Sequence, residues 1–114
     1  MRASWYEKTG PAIDVLQIGK METPEACDNE VRIKIFASGV NPADVKLRSG
    51  QSSYGYNFDR VIPNSDGAGI IDQVGPGVSK NRIGQRVWLF NGQRLGRAFG
   101  TCLLYTSDAA DDPT

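Results

Sequence analysis

Histidine is absent from this chain, and cysteine nearly so: among 114 residues only Cys27 and Cys102 occur. Without imidazole, no Ser-His-Asp or Cys-His nucleophile system can be assembled from this sequence, nor any zinc site that uses histidine. The two cysteines are too far apart for a CxxC redox or zinc arrangement, so Cys27 is read as a reduced thiol, in a loop or partly buried. An excess of charge of either sign is also missing. Thirteen Lys and Arg balance thirteen Asp and Glu, and no basic stripe or run of like charge supplies the electrostatic footprint of a nucleic-acid binder. No apolar run approaches the roughly 18 residues that a membrane span requires, and the opening Met1-Arg-Ala-Ser-Trp5 lacks the apolar segment of a secretory signal. A cytoplasmic protein is expected, with neither nucleic acid nor membrane as a partner.

What is present suffices for one domain, since 39% of the residues are hydrophobic, enough for one modest core. Residues 1–7 read as a first strand around Trp5 and Tyr6, closed by the turn Lys8-Thr-Gly-Pro11, and Val15-Leu-Gln-Ile-Gly19 as a short second strand. Residues 23–29 are loop. Glu30-Val-Arg-Ile-Lys-Ile-Phe-Ala-Ser38 alternates most regularly: Val31, Ile33, Ile35 and Ala37 are expected on one face, with Arg32 and Lys34 as solvated charge on the other. Asn41 then suits an N-cap, Pro42 a first helical position and Gly50 a stop, which predicts a short helix over 42–49. Asp44 in its first turn and Arg48 in its last match the helix dipole and form an i,i+4 pair. Residues 51–60, with Tyr54, Tyr56 and Phe58, read as a loop.

Three constraints meet in Val61-Ile-Pro-Asn-Ser-Asp-Gly-Ala-Gly-Ile-Ile-Asp-Gln-Val-Gly-Pro-Gly-Val78. Gly67 and Gly69 flank Ala68, so backbone built for a close approach runs into a strand of β-branched residues. Gly75-Pro76-Gly77 then ends that strand in a turn. A dinucleotide-binding fingerprint would need a third glycine opening a helix. Asp72 stands there instead, and Pro76 forbids the helix. Residues 83–90 read as a further strand with Val87 and Leu89 on one face, followed by a turn at Asn91-Gly92.

The segment 61–78, the stretch Ser38-Gly-Val-Asn-Pro-Ala-Asp44 with Arg48-Ser-Gly50, the Gly-x-Arg-Val of Gly84 to Val87, and Gly96-Arg-Ala-Phe-Gly-Thr101 resemble one family in the right order. That family is the medium-chain dehydrogenase/reductase family, specifically its zinc-free quinone oxidoreductase (zeta-crystallin-like) branch. The resemblance implies a mainly β, partly open GroES-like barrel of six or seven strands with one short helix. It implies the N-terminal catalytic domain, residues 1–101, of an NADPH-dependent enzyme whose Rossmann domain is missing. Zinc-dependent alcohol dehydrogenases carry a cysteine ligand near the position of Asn41, and Gly-His-Glu where this chain reads Asn64-Ser65-Asp66, so no zinc is expected. By resemblance Asn41 and Asp44 are the catalytic candidates, and Asn41, Lys46, Ser65 and Asp66 face the cofactor. The family often has tyrosine at the position of Lys46.

The parent enzyme would pass a hydride from NADPH to a quinone or another α,β-unsaturated carbonyl, and is expected to be a homodimer; the fragment alone is expected to be inactive. An enoyl reductase of the same family, or a free-standing GroES-like binding module, are the alternatives. From Cys102 onwards, Cys-Leu-Leu-Tyr-Thr-Ser-Asp-Ala-Ala-Asp-Asp-Pro-Thr114 resembles a translated library adapter, so residues 102–114 are expected to be a non-native tail.

Overall fold

In chain order the elements are β1 (Arg2–Trp5), α1 (Ala12–Val15), β2 (Gln17–Lys20), β3 (Glu30–Ser38), α2 (Pro42–Ser49), β4 (Gly67–Val74), β5 (Arg86–Leu89) and β6 (Leu104–Thr106), with a single 3-10 turn at Lys80–Arg82. They are taken from a computed structural model that describes residues 1–51, 59–90 and 104–106. β1 and β2 form one antiparallel pair, while the other four strands form a sheet in the order β5-β4-β3-β6, antiparallel throughout. The mainly β expectation holds, but the strands lie in two open sheets and not in a closed wall. Tyr6, Trp88, Phe90 and the turn at residues 75–78 fall within the described residues. Tyr54, Tyr56 and Phe58, the Asn91-Gly92 turn, the Gly96 to Thr101 motif and most of the tail lie outside them.

β3 is the backbone of the larger sheet because its alternation suits a strand with one buried face. Val31 and Ile33 are buried with Ile71 of β4 and with Val87 and Leu89 of β5, and Ile35, Val74 and Val78 pack against them. Full burial of each such side chain is worth about 1.5–3 kcal/mol. The alternation fails at its far end. The register runs Ile35 to Gly69 and then Ala37 to Ala68, so Phe36 is an extra residue on β3. Ala37, expected to share the face of Val31, is exposed as a result. A second irregularity pairs Arg32 with Gln73 and Ile33 with Ile71, which makes Asp72 the extra residue on β4. It also changes the reading of Arg32, whose guanidinium is not simply solvated: Nε donates to Asp72 Oδ1 at 2.8 Å and Nη1 to the Pro24 carbonyl at 3.1 Å.

The expected close approach is made by Gly69, where a Cβ would stand 2.0 Å from the Lys34 carbonyl oxygen. The turn after β4 closes as predicted: the Val78 N–H donates to the Gly75 carbonyl at 3.2 Å, and Gly77 after Pro76 takes φ 90°.

The smaller sheet is fastened by Tyr6 and Val61, whose backbones exchange two hydrogen bonds of 2.9 Å. Ala3, Trp5 and Ile62 form one cluster there, and Tyr6, Val15 and Val61 another. Val15 lies in α1 and not in the second strand, so the described residues hold two α-helices where one was expected. Pro11, in extended backbone at φ −60°, caps this single turn, and Val15 N–H donates to the Pro11 carbonyl at 3.1 Å. Four residues are too few to display a helical period. At the other edge, β6 pairs with Glu30, Val31 and Arg32. Backbone pairing of this kind is open to any extended segment beside a free edge, the expected tail included.

Candidate functional site

The residues singled out by sequence converge where β3 and β4 diverge. The last ladder pair joins Ser38 to Gly67, and one further step is made by the Gly39 N–H, which donates to the Asp66 carbonyl at 2.8 Å. Beyond that fork one arm turns into α2 and the other runs back to Asn64.

α2 begins and ends as its sequence requires. Asn41 is in extended backbone, Pro42 occupies the first turn and Gly50 closes the helix in the left-handed region at φ 84°. The Asn41 N–H donates to Asp44 Oδ2 at 2.8 Å, which satisfies one orphan donor of the helix start. Asp44 is buried, only 6% exposed, and this bond occupies its carboxylate. The expected Asp44–Arg48 pair does not form: Arg48 Nη1 instead donates to the Gly10 carbonyl, while the Gly10 N–H donates to the Arg48 carbonyl at 2.9 Å. The helix is thereby tied to the turn before α1, a partner that lies 38 positions away in sequence.

The Asn41 side chain crosses the fork. Its amide nitrogen donates to Asp66 Oδ2 at 2.8 Å; an ionised carboxylate only accepts, so the nitrogen must face it. A second bond runs beside the first, from Asn64 Nδ2 to Ser38 Oγ at 2.9 Å. Asn64 holds φ 77°, a left-handed conformation that asparagine tolerates better than other non-glycine residues. Sequence reasoning passed over Asn64 as a site residue. Its signal was available: asparagine stands where the zinc enzymes have glycine, and both accept a left-handed backbone.

The structure therefore brings together Asn41, Asp44 and Asp66, with half-buried Ser65 between Asn64 and Asp66 on the same loop. Lys46 is not brought to them. It is exposed on α2, and two residues along a helix is about 200° around the axis from Asp44. Next to the fork a depression of about 270 Å³ opens between Asp44, Val45 and Arg48 of α2 and Pro63 and Asn64 of the loop. Its wall is mainly apolar, with Asp44, Arg48 and Asn64 among its polar groups. Such a set of groups can hold and orient an amide or carbonyl. Among the described residues no three His, Cys, Asp or Glu side chains gather as a metal-holding cluster, and no helix is long and apolar enough to cross a membrane.

Comparison with known proteins gives these features a class. Residues 27–110 match the alcohol dehydrogenase GroES-like domain. Rat quinone oxidoreductase is 40% identical over 86 residues, covering 75% of this chain and 26% of the rat protein. The mitochondrial enoyl-[acyl-carrier-protein] reductase of Xenopus tropicalis is 33% identical over 82 residues, covering 72% of this chain and 23% of that protein. Among solved structures, the Escherichia coli quinone oxidoreductase in complex with NADPH superposes with a TM-score of 0.68 at 26% identity, over 80% of this chain and 27% of that one. The chain belongs to the medium-chain dehydrogenase/reductase family, in its quinone oxidoreductase branch. It spans about a quarter of the length of the curated relatives that it matches.

Proposed function

We propose that this chain is the substrate-side part of an NADPH-dependent reductase that delivers a hydride to a quinone or another α,β-unsaturated carbonyl. The observation that carries the reading is the Asn41–Asp66 bond across the β3/β4 fork, which fixes an exposed amide beside a carboxylate. An amide and a carboxylate suit the carboxamide of a nicotinamide, which needs one acceptor and one donor. A diphosphate does not fit here, because Asp44 already occupies the start of α2.

Bound NADPH would supply the hydride. The work of this chain is to bind, orient and keep water from the acceptor. Asn41 makes the direct contact, Asp44 acts by holding the Asn41 backbone, and Asp66 fixes the direction of the Asn41 amide. Ser65 and Lys46 are assigned to the cofactor side by resemblance alone. The acceptor's proton comes from solvent or a polar side chain.

Companion proposals go with this reading. The enzyme works without zinc, since Asn41, Ser65 and Asp66 stand at positions that zinc enzymes use differently. Residues 1–101 are the GroES-like portion, 102–114 are a foreign tail, and the full-length enzyme is a cytoplasmic homodimer. This chain alone is expected to turn nothing over, because among the described residues the start of α2 is taken by Asp44 and leaves no cradle for a diphosphate.

The test is to express the full-length gene and follow NADPH oxidation with a quinone, a small enone and an enoyl thioester. Turnover of the quinone or enone is expected, with a loss of about tenfold to a hundredfold in Asn41→Ala and full activity after chelation. Stoichiometric zinc lost together with activity would refute metal independence. Preference for the thioester would favour the enoyl reductase reading, which the Xenopus relative supports.

A further inference from the structure

We infer that Asn64 is a positioning residue of this site, coupled to Ser38, and that together they set where Asp66 meets Asn41; this rests on the reductase reading above. The chain enters the fork from Val61 and Ile62, which are buried at 3% and 5% exposure, and must reach Gly67 at the start of β4. Asn64 makes the bend between them in a left-handed conformation, at φ 77°. Its side chain then anchors the bend to the end of β3 through the 2.9 Å bond from Nδ2 to Ser38 Oγ. Ser38 is itself in register with Gly67, so this bond and the ladder hold the two-residue span of Ser65 and Asp66 from both sides. Asp66 meets the other arm twice, through its carbonyl to the Gly39 N–H and through its carboxylate to the Asn41 amide, each at 2.8 Å. Glycine would allow the same bend and could not make the anchor. Asparagine supplies both.

Two variants remove the anchor and leave the bend. In Asn64→Gly the bend is retained and the anchor lost; in Ser38→Ala the anchor is lost from the other side. In the full-length enzyme each is expected to lower kcat for the enone about threefold to tenfold, the size of one hydrogen bond, with little change in the KM for NADPH and in the urea midpoint. The double variant is expected to be no worse than either single one, because both remove the same bond. Independent, additive losses, or wild-type kcat in Asn64→Gly, would overturn the inference while leaving the reductase reading intact.

A second readout does not depend on activity. Exchange of the Asn41 side-chain amide protons, followed by NMR, is expected to quicken about threefold to tenfold in both variants. Unchanged exchange would overturn the inference even if the full-length enzyme proved to reduce nothing. Absence of hydride transfer by the wild-type enzyme would count against the reductase reading and leave the exchange result to decide the role of Asn64.

Discussion

Single residues in this fold fail for two different reasons, and its glycines separate them. At Gly69 and Gly75 a Cβ would stand 2.0 Å from the Lys34 carbonyl oxygen and 1.8 Å from that of Cys27; Lys34 is held within β3, and the Cys27 carbonyl accepts from the Glu30 N–H at 3.1 Å. At Gly84 the backbone is left-handed, at φ 93°, but a Cβ would meet nothing within 4 Å. Gly69→Ala is therefore expected to cost on the order of 3 kcal/mol or more, against about 1–2 kcal/mol for Gly84→Ala. Urea midpoints of the two variants check this, and equal costs would show that the space around Gly69 is softer than its geometry implies. The same contrast explains why the crowding at Gly69 was readable as a glycine beside a β-branched run, whereas the left-handed Asn64 was not: asparagine serves in many loop conformations.

Among the elements, α2 was the most completely readable. Its cap, its proline, its bounds and its glycine stop all lie within ten consecutive residues and act on each other locally. Its attachments were not readable. Asp44 bonds the Asn41 N–H where a pair with Arg48 was expected, and Arg48 reaches the Gly10 carbonyl. Asp44→Ala leaves the start of the helix with an unmet donor and is expected to destabilise the chain by about 1–2 kcal/mol. Asp44→Asn, which keeps an acceptor oxygen, should lose less, and the comparison is again by urea unfolding. In the main sheet, Ile71 is 1% exposed at the centre of its cluster, so Ile71→Ala is expected to cost about 2–4 kcal/mol. An equally conservative change at exposed Val45 should cost little.

At the scale of the molecule, the larger sheet presents an apolar outer face. Phe36 is 67% exposed and Trp88 48%, and both line one depression of about 230 Å³ together with Ile70 and Arg86. Exposed aromatic carbons on a sheet face favour self-association. Trp88→Gln is expected to lower light scattering by the concentrated chain, and scattering that is unchanged would mean that this face is not what drives association. The chain alone is also expected to bind NADPH only weakly. A fluorescence titration giving micromolar affinity would show that the described surface holds more of the cofactor than the nicotinamide end.

Local chemistry fixed the kind of three elements: the alternation of β3, the punctuation of α2 and the Gly-Pro-Gly turn each depend on neighbours a few positions away, and each appears where the residues place it. The expected face of Ala37, the solvation of Arg32, the strand over Val15 and the pairing of Asp44 with Arg48 did not survive folding. For Val15 a single turn capped by Pro11 was too short to show its period; in the other three the decision belonged to a contact between distant segments or to a shift in register. An extra residue at Phe36 turned Ala37 outward, and another at Asp72 gave Arg32 its partner. The candidate site follows the same rule. The identities of Asn41 and Asp66 are local, but the bond between them spans 25 positions and that of Asn64 to Ser38 spans 26. Both exist only because the β3/β4 register brings Ser38 opposite Gly67, and register is a property of two strands that neither one encodes alone.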